Sequence, residues 1–473
     1  MNRFIKLTMM FITTVSLGFG MEPGILNAQS PLQPPSPLTL AQAIQFGLDH
    51  YPSVRMSLAR VAAAKSGIDL TRTAYLPHID VGYQGSHATF NNVSGIFFPN
   101  SFTLPISGAD LQRKSFSGAW GSAGGVVAGW EPFDFGLRAA NVETARAAER
   151  QSAAGVDLTR LDVGVGVAEA FFTLVAADQA VTAMQANVER RRVFAETVAV
   201  LVKSRLRPGV DSSRANAEAA AARTQLIQAE QVREVARATL AEVLGVAGER
   251  VEVTAEALLR RPDQMAVPQP SPWTHPLAIA QSATAEFFRK RKEAYDYAWV
   301  PRVELQGAFS NRGSGWDHQG NHANGVSALL PDIPNWAGGL TVTFSLFDFA
   351  SIRAKRSIEA HNEQAEQASY DQALQSLTGK HAKAIEIVKA TERVADNTPI
   401  QLAASNETEM QTRARYRAGL ATVVEVAEAQ QLLVQATIDD LLARLGMWRA
   451  LLGLGAARGD LSPFLKQLQA AKE

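Results

Sequence analysis

Hydrophobic and polar positions along this chain follow two different periods, and the two periods alternate twice. Ile79, Val81 and Tyr83 alternate with Asp80, Gly82 and Gln84; later Val303, Leu305 and Phe309 alternate with Glu304, Gln306 and Ser310. A period of two puts the two sets on opposite faces of a strand, so the faces meet different surroundings. Both runs follow a proline step, Tyr75-Leu76-Pro77 and Trp299-Val300-Pro301, and the residue before proline is pushed toward extended backbone. Loops rich in Gly, Asn, Ser and Pro come next, over 91–115 and 311–335. Each leads to a return strand. In the second hairpin Leu340, Val342, Phe344 and Leu346 alternate with Thr341, Thr343 and Ser345. In the first, the stretch 116–130 is glycine-rich with poor alternation, and it is assigned as a strand by analogy.

After each hairpin the period lengthens. Residues 133–207 contain no proline, and Leu158, Leu161, Val165, Ala168, Phe172 and Val175 keep the 3-4 spacing of a coiled-coil seam. A continuous helix over 137–203 would reach about 100 Å at about 1.5 Å per residue. The chain then turns at Gly209 and returns on a helix dense in alanine, with Ala215, Ala217 and 219–222. The second half turns at Gly419, and its returning helix carries Val434, Ile438, Leu441, Leu445, Trp448 and Leu452 at coiled-coil spacing. Pro399 interrupts the second long helix without a counterpart in the first, which predicts a kink.

The halves are a duplication. Tyr51-Pro52 through Leu76-Pro77-His78 aligns without a gap on His275-Pro276 through Val300-Pro301-Arg302, and Phe133-Asp134-Phe135 matches Phe347-Asp348-Phe349. Lys203 to Gly209 matches Arg413 to Gly419, and Leu244-Gly245 matches Leu452-Gly453, at a slowly drifting offset. The first repeat spans 38–261, with a hairpin over 77–131 and long helices over 135–245. Prolines 262, 268, 270 and 272 mark a linker over 262–274. The second repeat spans 275–455, with a hairpin over 301–347 and helices over 351–453, and 456–473 is a tail.

Composition narrows the classes. The 473 residues hold 46 basic and 46 acidic groups, so electrostatics makes no case for nucleic acid. The absence of cysteine excludes disulfides, thiolate metal sites, a cysteine nucleophile and lipidation on cysteine. Arg3 and Lys6 precede an apolar run over 7–19, with a small-residue site at Ala28. Residues 1–28 therefore read as an export signal, since about 13 apolar residues fall short of the roughly 20 that span a bilayer. No other stretch approaches that length, so a membrane crossing would have to use strands. No phosphate-binding loop, zinc-protease motif or nucleophile elbow occurs, which points away from an enzyme and from cofactors. Asp317, His318 and His322 are a weak metal candidate beside the commoner reading of solvated loop histidines.

Leu346-Phe347-Asp348 after the second hairpin and Arg415-Tyr416-Arg417-Ala418-Gly419-Leu420 at the second turn complete a pattern that resembles the TolC family of outer-membrane efflux proteins over residues 38–455. The resemblance implies a mainly α fold with membrane β. A long coiled-coil α-helical barrel would join a trimer-shared twelve-stranded transmembrane β-barrel, four strands per chain. It further implies a homotrimer in outer-membrane lipid with a long periplasmic extension. Its partners would be a periplasmic adaptor and an inner-membrane pump of RND or ABC type. The expected function is the exit duct of a tripartite efflux pump for small toxic compounds. A type I protein secretion duct is the alternative. A periplasmic coiled-coil adaptor or scaffold without a channel is a third reading, and the two alternating hairpins argue against it.

Matching from Gly419, the resemblance places the family's constriction acids at Glu425 and Glu428, where a trimer would stack two carboxylate rings. Thr422-x-x-Glu425 is also a capping box; capping alone does not ask for Glu428, since like charges three apart repel. Tyr416 falls on a constriction tyrosine, against ordinary packing at a helix end. The family's gate arginine and its acid partner fall on Ala421 and Ala215, so that lock is missing or rebuilt. Arg205, Arg207, Arg415 and Arg417, with Lys203 and Arg413 beside them, are candidates to supply it, or they complement helix C-termini. Gly209, Val210, Gly419 and Leu420 sit at the turn tips, as helix terminators and as the implied docking points for the adaptor.

Overall fold

The computed structural model describes residues 35–89, 118–262, 271–314 and 327–470. The candidate export signal, the loop over 91–115, the Asp317, His318 and His322 loop and most of the proline linker lie outside the described residues. In chain order the elements are α1 (Leu40–His50), α2 (Pro52–Arg72), β1 (His78–Thr89), β2 (Gly118–Phe133), α3 (Leu137–Lys203) and α4 (Gly209–Val243). The second half repeats them as α5 (Pro276–Tyr295), β3 (Arg302–Ser314), β4 (Ile333–Thr343), α6 (Asp348–Arg417) and α7 (Val423–Arg458), followed by α8 (Ser462–Ala470).

The four strands form one antiparallel sheet in the order β1-β2-β3-β4. Val81 pairs with Val126, Val126 with Phe309 and Phe309 with Trp336; likewise Trp130 pairs with Leu305 and Leu305 with Leu340. Directly paired residues share a face, so these side chains form one apolar surface, and Val81, Phe309, Leu340 and Trp336 are exposed on it. Gln306, Ser310, Thr341 and Asn335 line the other face. The poor alternation of β2 has a packing cause. A Cβ at Gly125 would stand 2.4 Å from the Phe309 carbonyl oxygen and 2.6 Å from Ser310 Cα, so β2 can approach β3 only with glycine there. The second hairpin is longer than its alternation suggests: pairing continues to Arg312 and Ile333, inside the stretch read as loop.

Helix α3 is 67 residues long, as its proline-free pattern implies, and α6 runs 70 residues, unbroken through Pro399. Each long helix packs against its returning partner, α3 on α4 and α6 on α7, while α3 also meets α5 and α7 of the second repeat. The largest core gathers Phe171, Phe172, Leu174, Leu240, Trp448 and Leu452 with Leu38 and Phe464. Trp448 donates its indole N–H to the Arg260 carbonyl at 3.0 Å. The segment read as a tail is part of this core. Helix α7 continues to Arg458, and Phe464 of α8 packs 6.2 Å from the Trp448 ring. Ala168, Phe172 and Val175 of the expected α3 seam are buried, but Leu158, Leu161 and Val165 are half-buried, and Val156, Val163 and Val167 take the buried places. A helix with neighbours on several sides does not keep a single seam.

Hydrogen bonding at the helix ends corrects the alignment of the two repeats. Helix α3 ends with Arg205 at φ 59° and α6 with Gly419 at φ 80°. Both are Schellman turns, with Leu206 N–H donating to the Leu201 carbonyl and Leu420 N–H to the Arg415 carbonyl, each at 2.9 Å. The returning helices end alike at Gly245, φ 79°, and Gly459, φ 78°. Arg205 and Gly419, Gly245 and Gly459, and Asp134 and Asp348 are all 214 positions apart. The offset along the helices is therefore constant, and the matches of Lys203–Gly209 and Leu244-Gly245 were out of register by about one and two turns. The first turn reverses at Arg205, not at Gly209, which opens α4 behind Pro208. Motif letters misled because an arginine fills the left-handed position that glycine fills in the second repeat.

Candidate functional site at the helical tips

The far ends of α3, α4, α6 and α7 close on a small apolar core of Phe194, Ala195, Val198, Ala215, Tyr416, Ala421, Val423 and Val426. Ala215 and Ala421, the positions matched to a gate acid and a gate arginine, are both buried within it. A charge at either position would have to be taken out of water, which the small alanine side chain avoids.

A different fastener joins the two turns. Arg207, beside the first turn, donates from Nη2 to the carbonyls of Tyr416 at 2.7 Å and Ala421 at 3.3 Å, both in the second repeat. Its guanidinium carbon lies 4.4 Å above the centre of the Tyr416 ring, a cation–π contact. Phe194 also meets that ring edge-on, with the ring centres 5.2 Å apart. The Tyr416 hydroxyl points at Asp211 Oδ2, 3.5 Å away at the start of α4. Burial, followed by the nearby Asp211 charge, pushes the phenol above its ordinary range, with Arg207 opposing. Tyr416 is 1 % exposed in the single chain and bridges the two repeats.

The acid that the Tyr416 hydroxyl reaches, Asp211, stands in no motif of the sequence. With the offset of 214 it is the first-repeat counterpart of Glu425, and Arg214 is that of Glu428. Asp211 lies two residues beyond Gly209, and its equivalence to Glu425 becomes visible only with the first turn placed at Arg205.

Glu425 sits in the reciprocal capping box its spacing implies: it receives the Thr422 N–H at 3.0 Å, and its own N–H donates to Thr422 Oγ1 at 3.3 Å. The Thr422 backbone hydrogen bond, then the hydroxyl, holds its carboxyl below the usual carboxylate range. Glu428 is exposed one turn on. Behind the tip, buried Arg191 pairs with Glu218 of α4 at 2.7 Å and donates to the Ala427 carbonyl of α7 at 3.4 Å, tying three helices together.

The remaining candidates divide by exposure. Arg415 donates to the Leu420 carbonyl at 3.3 Å and steadies the second turn. Arg205 and Arg417 are exposed. Gly209, Val210, Gly419 and Leu420 are all exposed at the tip, and so is Leu206, the structural counterpart of Leu420, which motif matching passed over. Among the described residues no helix is long and apolar enough to cross a membrane and no cluster of metal-ligating side chains occurs.

Comparison with known proteins gives the arrangement its context. The sequence profile described as outer membrane efflux protein matches residues 43–246 and 283–460. The chain is 24 % identical over 449 residues to Protein CyaE of Bordetella pertussis, covering 91 % of this chain and 87 % of that one. Its fold superposes on CusC with a TM-score of 0.72 at 16 % identity, over 89 % of this chain and 92 % of that one. The CmeC outer membrane channel of Campylobacter jejuni gives 0.70 at 14 %, over 92 % and 89 %. The open MtrE outer membrane channel of Neisseria gonorrhoeae gives 0.66 at 20 %, over 89 % of each chain.

Proposed function

Because this chain belongs to the outer membrane efflux protein family, a family of channels rather than enzymes, we propose that three copies of it form the exit duct of a tripartite efflux pump for small toxic compounds. The observation that carries this reading is the sheet. Among the described residues it has four strands, an apolar exposed face, and two end strands, β1 and β4, each paired on one side only. In lipid every unpaired backbone group costs several kcal/mol, so an outer-membrane sheet of this kind must close on further copies. Three copies give twelve strands.

The paired helices then continue the barrel as a tunnel through the periplasm, and their tips form its gate. Tyr416, Arg207 and Asp211 hold the tips together, Glu425 and Glu428 supply rings of negative charge to the constriction, and exposed Leu206, Gly209, Val210, Gly419 and Leu420 offer a docking surface to a periplasmic adaptor. The adaptor links the duct to an inner-membrane pump of RND or ABC type. The test is deletion of the gene in its own host, with complementation. Increased susceptibility to several chemically unrelated compounds supports the efflux reading. Unchanged susceptibility with loss of one secreted polypeptide would replace it with type I secretion.

A further inference from the structure

The helical wall has two unlike faces where the end of α7 meets the start of α5. On one face Phe171 and Phe172 of α3 and Trp448 and Leu452 of α7 are buried in a single core with Ile44 of α1 and Phe464 of α8. On α7 the residues Gly446, Ala450 and Gly453 follow 4-3 spacing, which sets them on the side away from Trp448 and Leu452. There the wall is hollowed into a groove of about 660 Å³, lined by α3, α6, α7 and the first turn of α5. In a tunnel the added helices α1 and α8 belong outside, where they leave the passage clear. The groove then faces the lumen, nearer the sheet than the tips.

Two features of this groove ask for an occupant. The first is its depth. Glycine weakens a helix interior relative to alanine, yet Gly166 of α3 and Gly446 and Gly453 of α7 all line the groove. A Cβ on Gly166 or Gly453 would meet no packing neighbour within 4 Å, and one on Gly446 would meet only Thr391 Cγ2 at 3.9 Å. No close contact demands glycine at these places; what the three share is that they keep the groove open. The second feature is charge. Lys380 and Lys383 of α6 stand exposed on the groove, with Asp162 of α3 as the one carboxylate in its lining. Among the described residues neither lysine makes an ion pair, whereas Arg449 lies 3.5 Å from Glu169. Two lysines against one aspartate leave the groove positive, beside apolar surface from Leu158, Leu161 and Leu377.

We propose that this groove binds amphipathic organic anions in transit through the duct, compounds with a compact apolar body and one sulfonate or carboxylate. Its volume suits a drug-sized molecule, since such pockets run from about 300 to 1,000 Å³. The apolar body lies over Gly446 and Gly453 against the leucines, and Lys380 and Lys383 hold the anionic head by charge-assisted hydrogen bonds. Asp162 across the groove disfavours a second negative charge on the body. This rests on the channel reading above and names a substrate class for it. Three copies place three such grooves around the lumen.

Single-channel recordings of the full chain in planar bilayers, with 1-pyrenesulfonate added, are expected to show reversible, concentration-dependent block. K380Q/K383Q should raise the half-blocking concentration about tenfold or more, because both charged partners of the sulfonate are gone. G453L should raise it as well, by filling the groove with the lysines left in place. Methanesulfonate, which has the same head and no apolar body, should not block at the same concentration. Absence of block, block that either variant leaves unchanged, or equal block by methanesulfonate overturns the groove while leaving the channel reading intact. A chain that forms no conducting channel overturns both.

Discussion

The hydroxyl of Tyr416 in the second repeat lies 3.5 Å from Asp211 Oδ2 in the first, under a ring face covered by Arg207. Residues that are 205 positions apart in sequence, one beside each turn, are thus joined through one side chain. For the helical tips to part, this contact has to separate, which makes it the natural place to test the proposed gate.

Tyr416→Phe and Asp211→Asn are each expected to loosen the closed tip without emptying the small core around Phe194. Single-channel recordings in planar bilayers should show a higher open fraction for either variant. The double variant should add little to the larger single effect, because both remove the same contact. Independent, additive effects would show that the pair does not act as a unit.

Arg207 has two duties, charge and shape. Lys keeps the charge but loses the planar fork and the stacking surface. Arg207→Lys should therefore open the channel nearly as much as Arg207→Ala, and each should lower stability by about 1–2 kcal/mol through the lost cation–π contact and carbonyl hydrogen bonds. Full rescue by Lys would assign Arg207 a purely electrostatic role.

Glu425→Gln with Glu428→Gln should reduce cation selectivity, read as a shift in reversal potential under a salt gradient. The pH dependence has a definite sign. Hydrogen bonds from Thr422 hold Glu425 below the usual range when folded. Its contribution to the α7 N-terminus is therefore present above the unfolded carboxyl pKa of about 4.3 and is lost as pH falls through the lower folded value. Selectivity should hold between pH 7 and pH 5. A decline across that interval would mean that Glu425 is not an ionised part of the ring.

The two turns should respond oppositely to glycine chemistry. Gly419→Ala forces a side chain into left-handed backbone and should cost about 1 kcal/mol, visible as a lower melting temperature. Arg205→Gly relieves the same strain in the first turn but adds unfolded-state entropy, so its net effect should be near zero. A loss of stability in Arg205→Gly as large as in Gly419→Ala would show that the Arg205 side chain is needed where it stands.

Sequence alone determined the plan of this protein, because period is a local property. Alternation at Ile79 and Val303 marked strands, a proline-free run over 137–203 became α3 residue for residue, and Thr422-x-x-Glu425 became the expected capping box. The duplication was legible too, but its register was not. A Schellman turn is defined by hydrogen bonds and by one left-handed residue, and Arg205 meets that geometry without the glycine that signals it. Only the tertiary structure, therefore, brought Asp211 level with Glu425, placed Ala215 and Ala421 inside a core, and laid Arg207 across Tyr416. Those contacts join residues some 200 positions apart, and no local pattern records which helix end will meet which when two long helical pairs fold side by side.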